Sequence, residues 1–133
     1  MCSQDKRDAA TVLVVDDDYD VLKAMRRMLE TAGYHVIESR EGGDATQVFR
    51  AEHEKIDAII MDWKMPGLDG HEWVRTMLGI DPGAQIIFCT AYEIPENIRQ
   101  RLESEVVGFV DKPVDWQRLF ALLEQAIAAR GAS

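Results

Sequence analysis

The chain has 133 residues, with 15 Lys and Arg against 24 Asp and Glu, a formal charge of −9 and 47% hydrophobic content. That length suits one domain whose core needs no metal or disulfide staple, and the hydrophobic content excludes global disorder. An acidic pI near 4.7 argues against nonspecific attraction to nucleic acid or to an anionic membrane surface.

Residues 1–10 are polar and lack the apolar centre of a secretory signal. They are expected to form a flexible lead. Thr11 to Val15 is apolar and β-branched, as a strand covered on both faces should be. From Tyr19 to Ala32, Leu22, Met25 and Leu29 recur at helical spacing, and Gly33 suits the C-terminal cap. A second short strand, His35 to Glu38, is broken by Gly42 and Gly43, and the next helix is predicted from about Asp44 to His53 with Ala45, Val48 and Phe49 inward. Ala58 to Met61 is the third strand, and Asp62 to Asp69 holds Pro66 and Gly67 and reads as a loop.

The third helix is predicted over Gly70 to Gly79 with Trp73, Val74, Met77 and Leu78 on one face, and the fourth strand over Gln85 to Cys89. Cys89 reads as a small buried hydrophobe; with Cys2 the only other cysteine, no disulfide framework is expected. Ile94, Ile98 and Leu102 mark a fourth helix, Val106 to Val110 a fifth strand, and Trp116, Leu119, Phe120, Leu123 and Ile127 a last helix ending near Arg130. No apolar run reaches the ~18–20 residues of a membrane span, so a soluble cytoplasmic domain is expected over 11–130, with a short tail at 131–133. Strict strand–helix alternation predicts an α/β domain, a parallel sheet with helices on both faces.

In such sheets ligands bind beyond the carboxyl ends of the strands. The first strand ends in Asp16-Asp17-Asp18, the third in Asp62, the fourth in Thr90 and the fifth in Asp111-Lys112-Pro113. The second, ending in Ser39-Arg40-Glu41, matches no chemistry. Converging carboxylates are costly without a cation between them, and all-oxygen ligation selects a hard ion such as Mg²⁺ or Ca²⁺. A hydroxyl and an ammonium aimed at the same spot complete the parts needed to stabilise a transferring phosphoryl group. Asp62 would then be a nucleophilic carboxylate that forms an aspartyl phosphate. Asp18 and Asp20 are assigned to the N-terminus of the first helix, where acids are favoured.

Other patterns fail. His35, His53 and His71 lack ligand spacing and read as surface residues. Asp16-x-Asp18-x-Asp20 opens like an EF-hand loop, but Val21 replaces the turn glycine and Arg27 the bidentate glutamate. A haloacid-dehalogenase-type phosphatase is disfavoured by length and by Asp20.

The sequence resembles a response-regulator receiver domain. The likeness lies in Val14-Val15-Asp16-Asp17-Asp18, Met61 to Gly70, Thr90-Ala91 and Lys112-Pro113, and covers about residues 11–130. It implies a doubly wound, flavodoxin-like three-layer sandwich with strand order 2-1-3-4-5. It also implies phosphoryl transfer to Asp62 from a sensor histidine kinase or a phosphotransfer protein. Asp16, Asp17, Asp62 and the Lys64 backbone carbonyl would hold Mg²⁺ or a similar cation such as Mn²⁺, and Thr90 and Lys112 would contact the phosphoryl oxygens. The only catalysis implied is of the chain's own phosphorylation and dephosphorylation.

The resemblance further implies a switch in which Thr90 moves toward the phosphoryl group and an aromatic on the fifth strand turns inward. Here that aromatic is Phe109, whose inward state is expected to be favoured by burial alone. Lys64 and Ala91 would tune phosphate lifetime, and the Lys112-Pro113 bond is expected to be cis. Val114 stands where the family usually has Phe, which is expected to loosen packing beneath the last helix. The signalling face would join the fourth helix, fifth strand and fifth helix, with Trp116 as a candidate partner anchor. Output is expected through a downstream protein or an output domain rather than through direct nucleic-acid or membrane contact. The alternatives are an unphosphorylated receiver-like scaffold or an Mg²⁺-dependent phosphatase.

Overall fold

The alternation of inward residues along the strands sorts the core into two layers. In the computed structural model, which describes residues 10–67 and 69–131, the first strand β1 (Thr11–Val15) turns Val12 and Val14 to one face and Leu13 and Val15 to the other. Both sets are buried, as a central parallel strand requires. The chain continues through α1 (Tyr19–Thr31), β2 (His35–Ser39), α2 (Gly42–Glu52), β3 (Ala58–Met61), α3 (Gly70–Ile80), β4 (Ile86–Thr90), α4 (Glu96–Leu102), β5 (Gly108–Asp111) and α5 (Trp116–Gly131). All strand pairs are parallel and the sheet order is β2-β1-β3-β4-β5.

Leu22, Met25 and Leu29 of α1 and Leu119, Leu122, Leu123 and Ala126 of α5 fill one layer with Val12, Val14, Ile60, Ile87 and Val110. Ala45 and Phe49 of α2, Trp73, Val74 and Met77 of α3 and Leu102 of α4 fill the other with Leu13, Val15, Ile59, Met61 and Phe88. Each fully buried Leu, Ile or Phe contributes roughly 1.5–3 kcal/mol of transfer free energy. The result is the parallel sheet with helices on both faces expected from the alternation, in the doubly wound order that the resemblance implies.

Local chemistry sets the ends. Asp18 caps α1 by accepting from the Asp20 and Val21 amides at 2.9 and 3.3 Å, and Gly33 closes it at φ 99°. Asp69 caps α3 in the same way, through the His71 and Glu72 amides.

Several boundaries depart from the sequence reading. Helix α2 begins at Gly42 rather than near Asp44, because glycines are tolerated in a first turn whose amides have no intrahelical partner. Helix α4 begins at Glu96, after Pro95. Ile94 is buried but lies in the preceding loop. Strand β4 is shifted one residue to end on Thr90, which pairs in register with Asp111. Strand β5 starts at Gly108; Val107 precedes it, its amide donating to the Ile86 carbonyl at 2.7 Å. Val48 and Leu78 are half-buried partners of the core rather than part of its centre, and Val114 and Trp116 pack against the α1–α5 layer. Residues 1–9 with Cys2, Leu68 of the acidic-loop motif and residues 132–133 lie outside the described residues.

Candidate functional site

The ends of β1, β3, β4 and β5 meet at one edge, where extra hydrogen bonds carry the ladder beyond the strands. The Asp62 amide donates to the Val15 carbonyl and the Asp16 amide to the Ser39 carbonyl, both at 3.1 Å. The Lys112 amide donates to the Thr90 carbonyl at 3.0 Å. These backbone anchors fix where the side chains start. Asp16, Asp62 and Thr90 are 3%, 7% and 4% exposed, unusual burial for polar residues, while Asp17 is exposed.

One ammonium is shared between the two buried acids. Lys112 Nζ lies 2.7 Å from Asp16 Oδ2 and 3.3 Å from Asp62 Oδ2. The remaining carboxylate oxygens take backbone donors: Asp16 Oδ1 accepts from the Asp18 amide at 2.9 Å and Asp62 Oδ1 from the Lys64 amide at 3.1 Å. Burial pushes the Asp16 carboxyl above its ordinary range. The Lys112 hydrogen bond, the Asp18 amide and the Lys112 charge offset only part of that, and the Asp62 charge adds to it. Burial works against the Lys112 charge too, but the Asp16 hydrogen bond and the charges of Asp16 and Asp62 outweigh it and hold the ammonium above its usual range.

Asp16, Asp17 and Asp62 each offer an oxygen within 4.8 Å of the others. Three carboxylates against one ammonium leave an excess of negative charge, and all the donors are hard oxygens. This donor set fits Mg²⁺ or a similar divalent cation.

The Thr90 hydroxyl accepts from the Tyr92 amide at 3.2 Å. Tyr92 is a residue the sequence reading missed: its exposed ring lies under Lys64, whose ammonium is 5.3 Å from the centroid. Its place two residues after Thr90 was the available signal. Ala91 is exposed beside it. The Lys112–Pro113 peptide is cis.

Phe109 is half-buried and stacks on Phe88, with centroids 6.0 Å apart. In this position the Arg99 guanidinium lies over its ring at 4.6 Å. No pattern in the sequence pairs those two residues. His53, read as a surface residue, is instead engaged: its Nδ1 lies 3.0 Å from Asp81 Oδ2 at the far pole of the sheet.

A family model for the response regulator receiver domain matches residues 12–124. The chain belongs to that family. Among solved structures, the receiver domain superposes on a response regulator receiver domain protein from Clostridium thermocellum with TM-score 0.86 and 27% identity, covering 92% of this chain and 98% of that one. A CheY-like receiver domain protein from Methanospirillum hungatei JF-1 gives 0.80 at 25% identity, covering 92% and 97%.

Among curated relatives, a cyclic di-GMP phosphodiesterase of Thermotoga maritima is 30% identical over 120 residues, covering 90% of this chain and 32% of that protein. The transcriptional regulatory protein GlrR of Escherichia coli is 31% identical over 119 residues, covering 89% and 26%. The receiver domain thus spans about a quarter to a third of the length of these relatives. Receiver domains bind Mg²⁺ in an acidic pocket and interact with histidine kinases and output domains. Among the described residues no helix is long and apolar enough to cross a membrane.

Proposed function

We propose that this receiver domain, residues 11–130, accepts a phosphoryl group on Asp62 from a sensor histidine kinase or a phosphotransfer protein, in the presence of a divalent cation. The observation that carries the reading is the Lys112 ammonium shared between buried Asp16 and Asp62, with Asp17 alongside. A lone buried salt bridge needs one acid. Here three acids face one ammonium, an arrangement that suits an incoming cation and a phosphoryl group better than a core.

Asp16, Asp17, Asp62 and, by the family resemblance, the Lys64 backbone carbonyl would hold Mg²⁺. When bound, the ion supplies positive charge against the carboxylates and the phosphoryl oxygens. An Asp62 oxygen forms the new bond to phosphorus as the bond from phosphorus to the donor nitrogen or oxygen breaks, and the electron pair leaves with the donor. Lys112 meets the negative charge on the phosphoryl oxygens from a position it already occupies, so little reorganisation is needed. The Thr90 hydroxyl donates to the same oxygens, and its displacement gives Phe109 room to move. Lys64, mounted on the Tyr92 ring, and Ala91 flank the path of attacking water and set the lifetime of the phosphate.

The signalling output is carried by the face formed by α4, β5 and α5, toward a downstream protein or an output domain. The domain works in the cytoplasm and touches neither nucleic acid nor membrane directly; in transcriptional regulators of the kind it resembles, DNA contact would belong to other domains. It turns over no substrate beyond its own phosphoryl group.

The test is intact mass after incubation with Mg²⁺ and acetyl phosphate. One hydroxylamine-labile phosphoryl adduct is expected, absent from Asp62→Asn and lost when the metal is chelated. No adduct would favour a receiver-like scaffold, and rapid repeated turnover of the donor would favour a phosphatase; either overturns the reading.

A further inference from the structure

Two arginines from two helices converge on one residue of the sheet edge. Among the described residues β5 pairs only with β4, which places it at the edge of the sheet. There Arg118 of α5 donates from Nε to the Phe109 carbonyl at 2.9 Å. From the other helix, the Arg99 guanidinium lies 4.6 Å from the centroid of the Phe109 ring. The same ring stacks on Phe88 at an interplanar angle of 15°. Phe88 in turn meets Trp63, the residue after Asp62, edge to face at 5.2 Å.

The two contacts differ in kind. Arg118 holds backbone and therefore fixes the strand. Arg99 holds only the ring, which has no polar atom to fix its orientation. Helix α4 is a short platform for this: it spans 7 residues and Leu102 is its one buried side chain. Whatever moves the Phe109 ring must therefore slide it out from under Arg99, and whatever moves α4 releases the ring.

We propose that Arg99 is a latch on Phe109: its guanidinium holds the ring in the half-buried position stacked on Phe88, while Arg118 keeps the β5 backbone still so that the side chain alone responds. This rests on the phosphoacceptor reading above and adds the restraint that sets how readily that site switches. A cation–π contact biases an equilibrium by roughly 2- to 30-fold, so removing it raises the population of the released ring by a factor in that range. Lys at position 99 keeps the charge but not the planar stack, and restores part of the bias.

The test uses the full chain with its four phenylalanines labelled with ¹³C in the rings. Spectra are taken first without donor and then with Mg²⁺ and acetyl phosphate, for wild type, Arg99→Gln and Arg99→Lys. Without donor, Arg99→Gln is expected to speed flipping of the Phe109 ring and to shift its signal part-way toward the phosphorylated position. Arg99→Lys should lie between the two, and the Phe49 and Phe120 signals should stay in place. A Phe109 signal and flip rate unchanged in Arg99→Gln would overturn the latch, as would an equal displacement of all four rings. If wild type gains no phosphoryl mass, the phosphoacceptor reading fails by itself, and the donor-free flip rate still decides the latch.

Discussion

Replacing Lys112 with Gln tests whether the site is a charge balance rather than a packing motif. The side chains involved are nearly dry: Lys112, Asp16 and Asp62 are 14%, 5% and 8% exposed. Removing one partner of such a pair leaves uncompensated buried charge, which costs about 3–5 kcal/mol. The sign with pH follows from Asp16. Its folded pKa already lies above the ordinary value of 3.8 because of burial, so the charged acid opposes folding, and stability falls as pH rises from 3.8 through the folded value. Two of the influences that hold that value down come from Lys112, and Gln supplies no charge to replace them. The stability difference between wild type and Lys112→Gln should therefore be greatest at neutral pH and shrink as pH falls through the raised folded pKa of Asp16. Lys112 itself has a raised pKa, so its contribution persists through neutral pH and is lost only as pH climbs through a value above 10.5. Divalent cation should restore stability to the variant; at tenfold excess over its dissociation constant the gain is about 1.4 kcal/mol. Urea unfolding at pH 4, 5.5 and 7, with and without Mg²⁺, measures all of this. A loss that is the same at every pH, or that Mg²⁺ leaves untouched, would refute the reasoning.

Three further outcomes are expected. Asp81 accepts from the Gly83 amide at 2.8 Å and pairs with His53 and Arg130 at 3.0 and 3.1 Å. Burial opposes its charge, but these donors outweigh it and lower its pKa, so the stability it contributes is fully present above the ordinary value of 3.8 and is lost as pH falls through the lower folded value. Asp81→Asn should cost about 1–2 kcal/mol at pH 7, and urea midpoints should show the difference from wild type shrinking as pH falls through the lowered folded pKa of Asp81. A Cβ at Gly70 would stand 2.5 Å from Trp63 Cζ3 and 2.7 Å from Cε3; Gly70→Ala should cost about 1–3 kcal/mol and shift the Trp63 signal in the indole region of the NMR spectrum. Lys64→Ala should shorten the lifetime of the Asp62 phosphate severalfold, read by loss of the adduct mass after the donor is removed.

The strands and the acidic edge were legible because their signals are local. Val12 to Val15 declares a covered strand by composition; Asp16, Asp62 and Lys112 each follow a strand directly and Thr90 ends one, so topology alone carries them to one edge. What escaped is whatever depends on how helices lie across the sheet. Arg99 over Phe109 requires the rotation of a 7-residue helix, which a stripe of Ile94, Ile98 and Leu102 specifies poorly once Pro95 interrupts it. The His53–Asp81–Arg130 cluster joins the ends of α2, α3 and α5, with His53 and Arg130 77 residues apart. Nothing in a run of sequence distinguishes such a histidine from a solvated one. The Gly42-Gly43 pair looks like a breaker in sequence, although in the first turn of α2 glycine is only a weak helix former.

The overall charge of −9 is a poor guide to the site, and the local balance is a better one. Three carboxylates and one ammonium leave two negative charges at an edge where Asp16 and Asp62 are almost fully shielded from water. Burial, with the Asp62 charge adding to it, makes the Asp16 carboxyl harder to ionise than a free one, and the Asp16 hydrogen bond with the charges of Asp16 and Asp62 makes Lys112 harder to neutralise. A monovalent ion cancels half of the excess and a divalent ion all of it, which is the physical ground for preferring Mg²⁺ over Na⁺ here. Adding a phosphoryl group raises the negative charge again while Lys112 is still in place. The same residues that make the site costly without a cation therefore make it receptive to phosphate with one. Neutralising Asp17, the exposed acid, should thus weaken metal binding with little cost to folding, whereas neutralising Asp16 should weaken metal binding and at the same time stabilise the metal-free fold at neutral pH.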